Sequence, residues 1–404
     1  MLTAPKRILP TLVLAQFAGT SLWFAVNAVM PDLQQQMGWP ASAVGRLTSA
    51  LQLGFIVGTL VFALLAIADR FSARRVFLFC ALAGALCTLG AMMRIASFTE
   101  LLLWRAATGF FLAGIYPVGM KIASQWFPKG LGVALGWLVG ALVLGSASAH
   151  GIRALSVELP WSAVMISVAL LAAAGGLLLF MVIPEPPNYT AITKKFEMQA
   201  LATIWTDWRV RASVLGYFGH MWELYAMWAW FLTFSRMAFI ELNIDNPSAA
   251  SFFTFAAIGI GALGCIVGGI MGDRWGRTAT TSLMMCISGT CALLAGFVYD
   301  GPLWMLIALG LIWGFTVVAD SAQFSTIVTE LGDPMYVGTA LTVQLGIGFM
   351  LTVVTIWLLP LAAASLNSWQ WVFLILIPGP LIGTCAMLFL RRMPEAIKIA
   401  NGNR

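Results

Sequence analysis

The sequence predicts an all-α membrane protein with twelve transmembrane helices, and three observations support this fold class. Of the 404 residues, 60% are hydrophobic and only 9% are charged, and the mean hydropathy is +0.91. A soluble domain carries about 25% charged residues, because water must wet its surface. The apolar runs are roughly twenty residues long, the length of a helix that crosses a bilayer, and they lack the alternation of β-barrel strands.

Proline, glycine and charged residues divide the chain into twelve apolar segments, numbered helices 1 to 12 in chain order. Their predicted bounds are 8–30, 44–68, 75–95, 98–126, 131–153, 160–183, 212–237, 249–272, 279–299, 302–328, 336–361 and 369–390. One long polar break, Pro184 to Arg211, separates six helices from six. We therefore predict an N-terminal six-helix bundle (1–183), a cytoplasmic linker (184–211), a C-terminal six-helix bundle (212–392) and a cytoplasmic tail (393–404), with the two bundles as an internal duplication.

The basic residues predict the orientation of the chain. With the N-terminus in the cytoplasm, 16 of the 22 lysines and arginines lie on the cytoplasmic side. This bias predicts that both termini are cytoplasmic, in the inner membrane of a bacterium. The net charge of +6 then reflects topology rather than a nucleic-acid partner. The first apolar run lacks a clean small-residue cleavage site, so we expect it to remain as helix 1.

Two similar loops follow helices 2 and 8. The first reads Leu65-Ala-Ile-Ala-Asp-Arg-Phe-Ser-Ala-Arg-Arg75, and the second reads Gly269-Ile-Met-Gly-Asp-Arg-Trp-Gly-Arg277. An aspartate near a helix end can pair with arginines and with the N-terminus of a neighbouring helix. We therefore predict a cytoplasmic latch that holds one state of the protein closed. Its residues are Asp69, Arg70, Asp273, Arg274 and Arg277.

Both loops resemble the G-x-L-A-D-R-x-G-R-[KR] loop of the major facilitator superfamily, with Leu65, Ser72 and Ala73 departing from it in the first copy. Arg105-Ala-Ala-Thr-Gly109 in helix 4 resembles the R-x-x-x-G stretch of the same family. The resemblance implies a secondary transporter, usually monomeric, with two six-helix bundles around a central cavity. It also implies that helices 1, 4, 7 and 10 line this cavity.

Glycines four residues apart mark helices 5 and 8. Such a stripe allows two helix backbones to approach closely. The resemblance places these two helices face to face, so we expect Gly136, Gly140, Gly264 and Gly268 to form a sliding seam between the bundles. Ordinary tight packing is the alternative.

Three ionisable residues are predicted to couple transport to protons. His220 and Glu223 lie three apart in helix 7, on one face and about halfway along the span. A carboxylic acid in apolar surroundings can exchange protons near neutral pH, because burial disfavours its charged form. Histidine titrates in that range even when unperturbed. Asp320 in helix 10 is the third candidate, and a structural hydrogen-bonded group is the alternative reading.

Polar stripes along helices 1 and 10 indicate a wet, solute-binding cavity, and Arg105 suits an anionic group. Hydrogen bonding between helices, without a ligand, is the alternative. The predicted substrate-binding residues are Arg105, Gln16, Thr20, Trp23, Asn27, Tyr116, Trp313, Thr316 and Gln323, with Gln52 and Gln344 as secondary members. We expect Lys121 to extend to the cytoplasmic surface, whereas His150 fits a gate and a packing role equally well.

The predicted function is secondary active transport of a small polar solute, anionic or zwitterionic, by alternating access and proton symport. Sodium is the alternative coupling ion, and membrane lipid is the other expected partner. An exporter that exchanges amphipathic compounds for protons is one alternative function. A non-transporting membrane receptor or assembly component is another. The sequence contains no metal-ligand spacing, no nucleophile–base motif and no nucleotide-binding glycine loop, so no enzyme activity, metal or cofactor is predicted.

Overall fold

The computed structural model describes residues 5–93, 97–127, 131–156, 158–185, 207–244, 246–332 and 337–403, and within these ranges helices and their connecting turns make up the fold. We number the helices α1 to α12, to correspond to predicted helices 1 to 12. Their bounds are Ile8–Met37, Ala43–Leu64, Ala73–Met93, Phe98–Trp126, Leu131–Leu155, Trp161–Val182, Trp208–Glu241, Pro247–Trp275, Arg277–Val298, Leu303–Leu331, Val337–Leu366 and Val372–Arg392. The predicted helix order and fold class are confirmed.

Eleven helices in the described part of the chain are long and apolar enough to cross a membrane. The one predicted span that is not among these eleven is α7, which has 34 residues. Its length of about 51 Å exceeds the roughly 30 Å of a hydrocarbon core. It is less apolar because it carries His220, Glu223 and three arginines. At its N-terminus, the side chain of Asp207 accepts a hydrogen bond from the backbone N–H of Arg209.

The chain divides into two compact units. Unit 1 comprises Met1–Lys195 and Pro247–Phe255, and unit 2 comprises Phe196–Asn246 and Ala256–Arg404. Unit 1 therefore contains α1 to α6 and the start of α8, and unit 2 contains α7, the rest of α8 and α9 to α12. Most of the predicted linker, residues 186–206, lies outside the described residues.

Several of the long helices are interrupted. In α1, the pieces Ile8–Thr20 and Ala25–Met37 are separated by a turn. In α4, the second piece begins at Tyr116, next to Pro117, which lacks an N–H and clashes with the carbonyl four residues earlier. In α10, the break falls on Asp320. A broken helix leaves backbone carbonyls and N–H groups that need other partners.

Glycines bring two helix pairs into backbone contact, one pair in each unit. In unit 1, a methyl group on Gly54 of α2 would lie 1.9 Å from the carbonyl oxygen of Ala106 in α4. In unit 2, a methyl group on Gly268 of α8 would lie 1.9 Å from the carbonyl oxygen of Ala319 in α10. The second and fourth helices of each bundle therefore pack in the same way, as an internal duplication predicts.

The glycines expected at the seam have different surroundings. Gly264 and Gly268 lie against α10 of their own unit, near the carbonyls of Phe315 and Ala319. This packing follows from the absence of a side chain, which lets the α8 and α10 backbones touch. In α5, Gly136 has open space beside it and Gly140 is buried.

Candidate functional site

Glu223 lies at the centre of a buried polar group in unit 2. Glu223 is 1% exposed, and both of its carboxyl oxygens accept hydrogen bonds. The hydroxyl of Ser288 in α9 donates to Oε2 at 2.8 Å. The indole Nε1–H of Trp313 in α10 donates to Oε1 at 2.7 Å. Three helices thus meet at this one carboxyl group.

His220 and Asp320 form the second part of this group. Nδ1 of His220 lies 2.9 Å from Oδ1 of Asp320, and each side chain is 1% exposed. The atoms are within ion-pair distance but are not aligned as a hydrogen bond. Nε2 of His220 has no hydrogen-bond partner among the described residues, and the imidazole ring lies 5.5 Å from the ring of Phe324.

We call His220, Glu223, Ser288, Trp313 and Asp320 the acidic cluster. Burying a carboxylate away from water is costly unless it is paired, hydrogen bonded or protonated. With two carboxyl groups and one imidazole, the charge of this cluster depends on how many protons it holds. The arrangement can therefore bind and release a proton. The structure brings together all three residues predicted for proton coupling.

Ser288 was not identified from the sequence. It is one of several hydroxyl residues in α9, where Thr280, Thr281 and Ser282 are also buried. Only the tertiary contact between α7 and α9 distinguishes it from them. Trp313, which the sequence predicts to bind substrate, donates its indole N–H to Glu223.

The other predicted residues of α10 and α11 lie apart from the acidic cluster or make local contacts. The hydroxyl of Thr316 donates to carbonyls of its own helix. Gln323 accepts a hydrogen bond from Nη1 of Arg277 at 2.8 Å, and its Nε2 lies 3.3 Å from the carbonyl oxygen of Gly268. Gln344 in α11 is 2% exposed, and its Oε1 has no partner in the described structure.

Arg105 is the buried cation of unit 1. It is 1% exposed, and its Nη1 and Nη2 atoms donate to the carbonyls of Leu22 and Trp23 at 3.2 and 2.6 Å. These carbonyls belong to the turn that interrupts α1. The guanidinium therefore satisfies backbone groups that the broken helix leaves open. Its Nε has no hydrogen-bond partner, and no acidic side chain pairs with it among the described residues.

The predicted polar stripe of α1 is buried. The side chain of Asn27 donates to the hydroxyl of Thr48 in α2 at 2.8 Å, and the ring of Trp23 lies 5.0 Å from that of Phe55. The hydroxyl of Thr20 donates to a carbonyl of its own helix.

Two glutamines of unit 1 are fully buried. Gln16 and Gln52 are each 0% exposed, and neither side-chain amide has a hydrogen-bond partner within the described ranges. Leaving a buried amide unpaired costs about 1–3 kcal/mol, so these side chains are suited to bind a polar solute or water.

Three further residues of unit 1 were singled out in the sequence. His150 is 0% exposed, and both of its ring nitrogens lack a partner among the described residues. Tyr116 is half-buried at the start of the second piece of α4. The amine of Lys121 donates to the carbonyl of Ala68, in the first motif loop.

The second motif loop forms an ion-pair group in unit 2. Arg277 lies 3.1 Å from Asp273 and 2.9 Å from Glu330, which is in the last turn of α10. The C-terminal tail lies against it, because the backbone N–H of Ala400 donates to Glu330 at 3.1 Å. Arg274 is exposed. Sequence reasoning identified Arg277 and Asp273 but missed Glu330, whose role depends on the contact between α9 and α10.

The first motif loop uses a different acidic partner. Arg74 pairs with Glu185 at 2.9 Å and donates to the carbonyls of Phe180 and Ile183 at the end of α6. Arg70 is exposed, and the side chain of Asp69 lies outside the described residues. Glu185 was not predicted, because it lies at the start of the polar linker.

The six cysteines divide into two groups. Four are buried in the helices, whereas Cys286 and Cys385 are exposed. The described residues hold no group of histidine, cysteine and acidic side chains that could bind a metal ion.

Comparison with known proteins gives a family match and a curated relative. The family model described as Major Facilitator Superfamily matches residues 12–242. A putative proline/betaine transporter of Staphylococcus haemolyticus (strain JCSC1435) is 28% identical over 169 residues, which are 38% of this chain and 36% of that protein. The match therefore spans about a third of the relative's length.

Solved structures of transporters share the fold. The proton:xylose symporter XylE, bound to 6-bromo-6-deoxy-D-glucose, aligns with a TM-score of 0.72 at 13% identity, over 96% of each chain. A variant of the nucleoside transporter NupG aligns with a TM-score of 0.70 at 16% identity, over 95% of this chain and 100% of that chain. An inward-facing bacterial homologue of the human lysosomal transporter Spinster aligns with a TM-score of 0.68 at 16% identity, over 95% of this chain and 94% of that chain. At these identities the likeness shows the fold alone.

Proposed function

This chain belongs to the major facilitator superfamily of transporters, and on that premise we propose that it moves a small polar organic solute by proton-coupled symport. It is an integral, multi-pass membrane protein. In the proposed mechanism, the solute and a proton cross together while the protein alternates between outward-open and inward-open states. We also propose that it works as a monomer with both termini in the cytoplasm of a bacterium.

The observation that carries the proposal is the carboxyl group of Glu223. It is 1% exposed, lies beside the His220–Asp320 pair and is held by two donors from other helices. A carboxyl group in such an environment can exist with or without its proton, because burial opposes its charge while the donors stabilise it. That balance is what a proton-coupling residue requires.

Arg105 supports an anionic or zwitterionic solute. Its guanidinium is buried and, among the described residues, has carbonyl partners but no carboxylate. A buried charge without a counter-charge is unfavourable, so a carboxylate of the solute would stabilise it. Gln16 and Gln52 offer further donors and acceptors. Proline and betaine, named in the relative, are zwitterions of this class.

The test uses purified protein in liposomes that contain a trapped pH dye. The outside is supplied in turn with proline, glycine betaine, xylose, fucose and uridine. We expect the lumen to acidify with at least one zwitterion and not with the sugars. Liposomes without protein, and protein-containing liposomes treated with a protonophore, are the controls.

The other outcomes decide against the proposal in distinct ways. Alkalinisation of the lumen would indicate exchange of the solute for protons, as in an exporter. Uptake that requires sodium and leaves the lumen pH unchanged would assign the coupling to sodium. If no solute changes the lumen pH and no counterflow of radiolabelled solute is detected, a non-transporting role would be favoured.

A further inference from the structure

We propose that Ser288 is the positioning residue that allows Glu223 to hold and release its proton at Oε2 without losing its hydrogen bonds. This inference rests on the proposed function, since it assigns the proton to Glu223. It adds a specific atom for the proton and a second residue that responds to it.

The geometry around the Ser288 hydroxyl carries the inference. Its Oγ lies 2.8 Å from Oε2 of Glu223 and 3.2 Å from the carbonyl oxygen of Met285, one turn earlier in α9. A hydroxyl has one proton to donate and two lone pairs that accept. It can therefore donate to only one of these two oxygens at a time.

The two positions of the hydroxyl proton match the two states of the carboxyl group. When Glu223 is ionised, Ser288 donates to Oε2. When a proton binds, an O–H bond forms at Oε2, this O–H donates to Oγ, and the serine hydroxyl turns to donate to the carbonyl of Met285. The serine O–H bond remains intact, and no group is left unpaired in either state.

Trp313 determines which oxygen takes the proton. An indole N–H only donates, and Nε1 of Trp313 points to Oε1 at 2.7 Å. A proton on Oε1 would face this donor and lose the bond. Oε2 is therefore the favoured site of protonation, and Ser288 is the side chain that faces it.

The other titratable groups near Glu223 stay unchanged in a Ser288 variant. They are His220 on the same helix, Asp320 on α10 and Cys291 on α9. In α11 and α12, residues 337–390 include no charged side chain and no histidine. A change in the protonation of Glu223 on altering Ser288 can then be assigned to the lost hydroxyl.

The expected effect has a definite sign. A hydrogen bond to a charged oxygen is about twice as strong as one between neutral groups. Ser288→Ala removes the hydrogen bond to the ionised carboxylate and the weaker hydrogen bond to the protonated acid. The substitution therefore disfavours the carboxylate more than the acid. We expect the pH at which Glu223 is half protonated to rise by roughly one unit, about tenfold in proton affinity. Ser288→Thr keeps the hydroxyl and should restore the wild-type midpoint.

Infrared difference spectroscopy tests this directly on the full-length protein in lipid. The C=O stretch of a protonated carboxyl group is followed from pH 4 to pH 10, and Glu223→Gln identifies the band. A rise of the midpoint in Ser288→Ala and its return in Ser288→Thr would support the inference. If Ser288→Ala fails to fold, Ser288→Cys replaces it, since a thiol is a weak donor and should raise the midpoint in the same direction.

The two possible failures can be told apart. If Glu223→Gln removes no titrating band, the proton is not on Glu223, and both the proposed function of this residue and the inference are overturned. If the band titrates in the wild type but its midpoint is the same in Ser288→Ala, only the inference fails.

Discussion

At the scale of single residues, Arg105 has a structural role in the fold and a proposed role in binding the solute. Two of its nitrogens hold carbonyls of the interrupted α1, while its charge has no acidic partner within the described residues. A planar guanidinium can make both carbonyl contacts and still present a donor to a carboxylate. A lysine ammonium keeps the charge but lacks this fork.

The Arg105→Lys variant should therefore affect transport even though it keeps the charge. We expect the KM for solute uptake to rise about tenfold, because a lysine cannot hold both carbonyls and also donate to the solute carboxylate. For the same reason we expect the unfolding temperature to fall. Arg46→Lys, at an exposed position of α2, is the matched control and should change neither. An Arg105→Lys protein with the wild-type KM and unfolding temperature would contradict both roles.

At the scale of helices, the contact between α8 and α10 depends on glycine. Gly268 lies against the carbonyl of Ala319, whereas Gly269, the next residue, has open space beside it. The two positions share a helix, a depth and a residue type. They differ only in what a methyl group would meet.

We expect Gly268→Ala to lower the free energy of unfolding by about 1–3 kcal/mol, because the two helices must separate to admit the methyl group. Gly269→Ala should be neutral or slightly stabilising, since alanine favours the helix. Thermal unfolding in detergent measures the difference. Equal unfolding temperatures for the two variants would show that the backbones of α8 and α10 do not touch.

The ion pairs at the end of α10 give a second prediction at this scale. Arg277 bonds to Asp273, Glu330 and Gln323, and Glu330 also accepts from the backbone of Ala400. Arg277→Lys cannot keep all of these bonds. In hydrogen–deuterium exchange, peptides over residues 321–331 and 394–403 should exchange faster in this variant than in the wild type.

Arg274→Lys is the control for the same loop, because Arg274 is exposed. Its exchange should match that of the wild type. Equal hydrogen–deuterium exchange in the Arg277→Lys and Arg274→Lys proteins would show that Arg277 does not stabilise the tail and the end of α10.

At the scale of the whole molecule, hydropathy and charge predicted the number, order and approximate bounds of the helices. The largest error is at the end of α1, predicted at residue 30 and found at Met37. Pro31 and Asp32 suggested a loop there. The helix nevertheless continues, with Pro31 in the middle of its second piece, and Asp32 is paired with Arg153 at 2.7 Å.

The site was predictable only where a residue type is rare in a membrane helix. His220, Glu223, Asp320 and Arg105 are conspicuous because ionisable groups are unfavourable there. Ser288, Glu330 and Glu185 depend on which helices meet, and periodicity does not give that information. The breaks in α1 and α10 were not predicted, because no proline lies within either break to indicate it.

The central claim, that Glu223 couples solute movement to protons, is tested most directly by Glu223→Gln in liposomes. Two quantities are measured: solute accumulation driven by a pH gradient, and counterflow exchange without a gradient. Glu241→Gln, an exposed position at the end of the same helix, is the matched control. We predict that Glu223→Gln abolishes accumulation and retains counterflow, while Glu241→Gln keeps both. Wild-type accumulation in the Glu223→Gln protein would contradict the account and place the coupling site elsewhere.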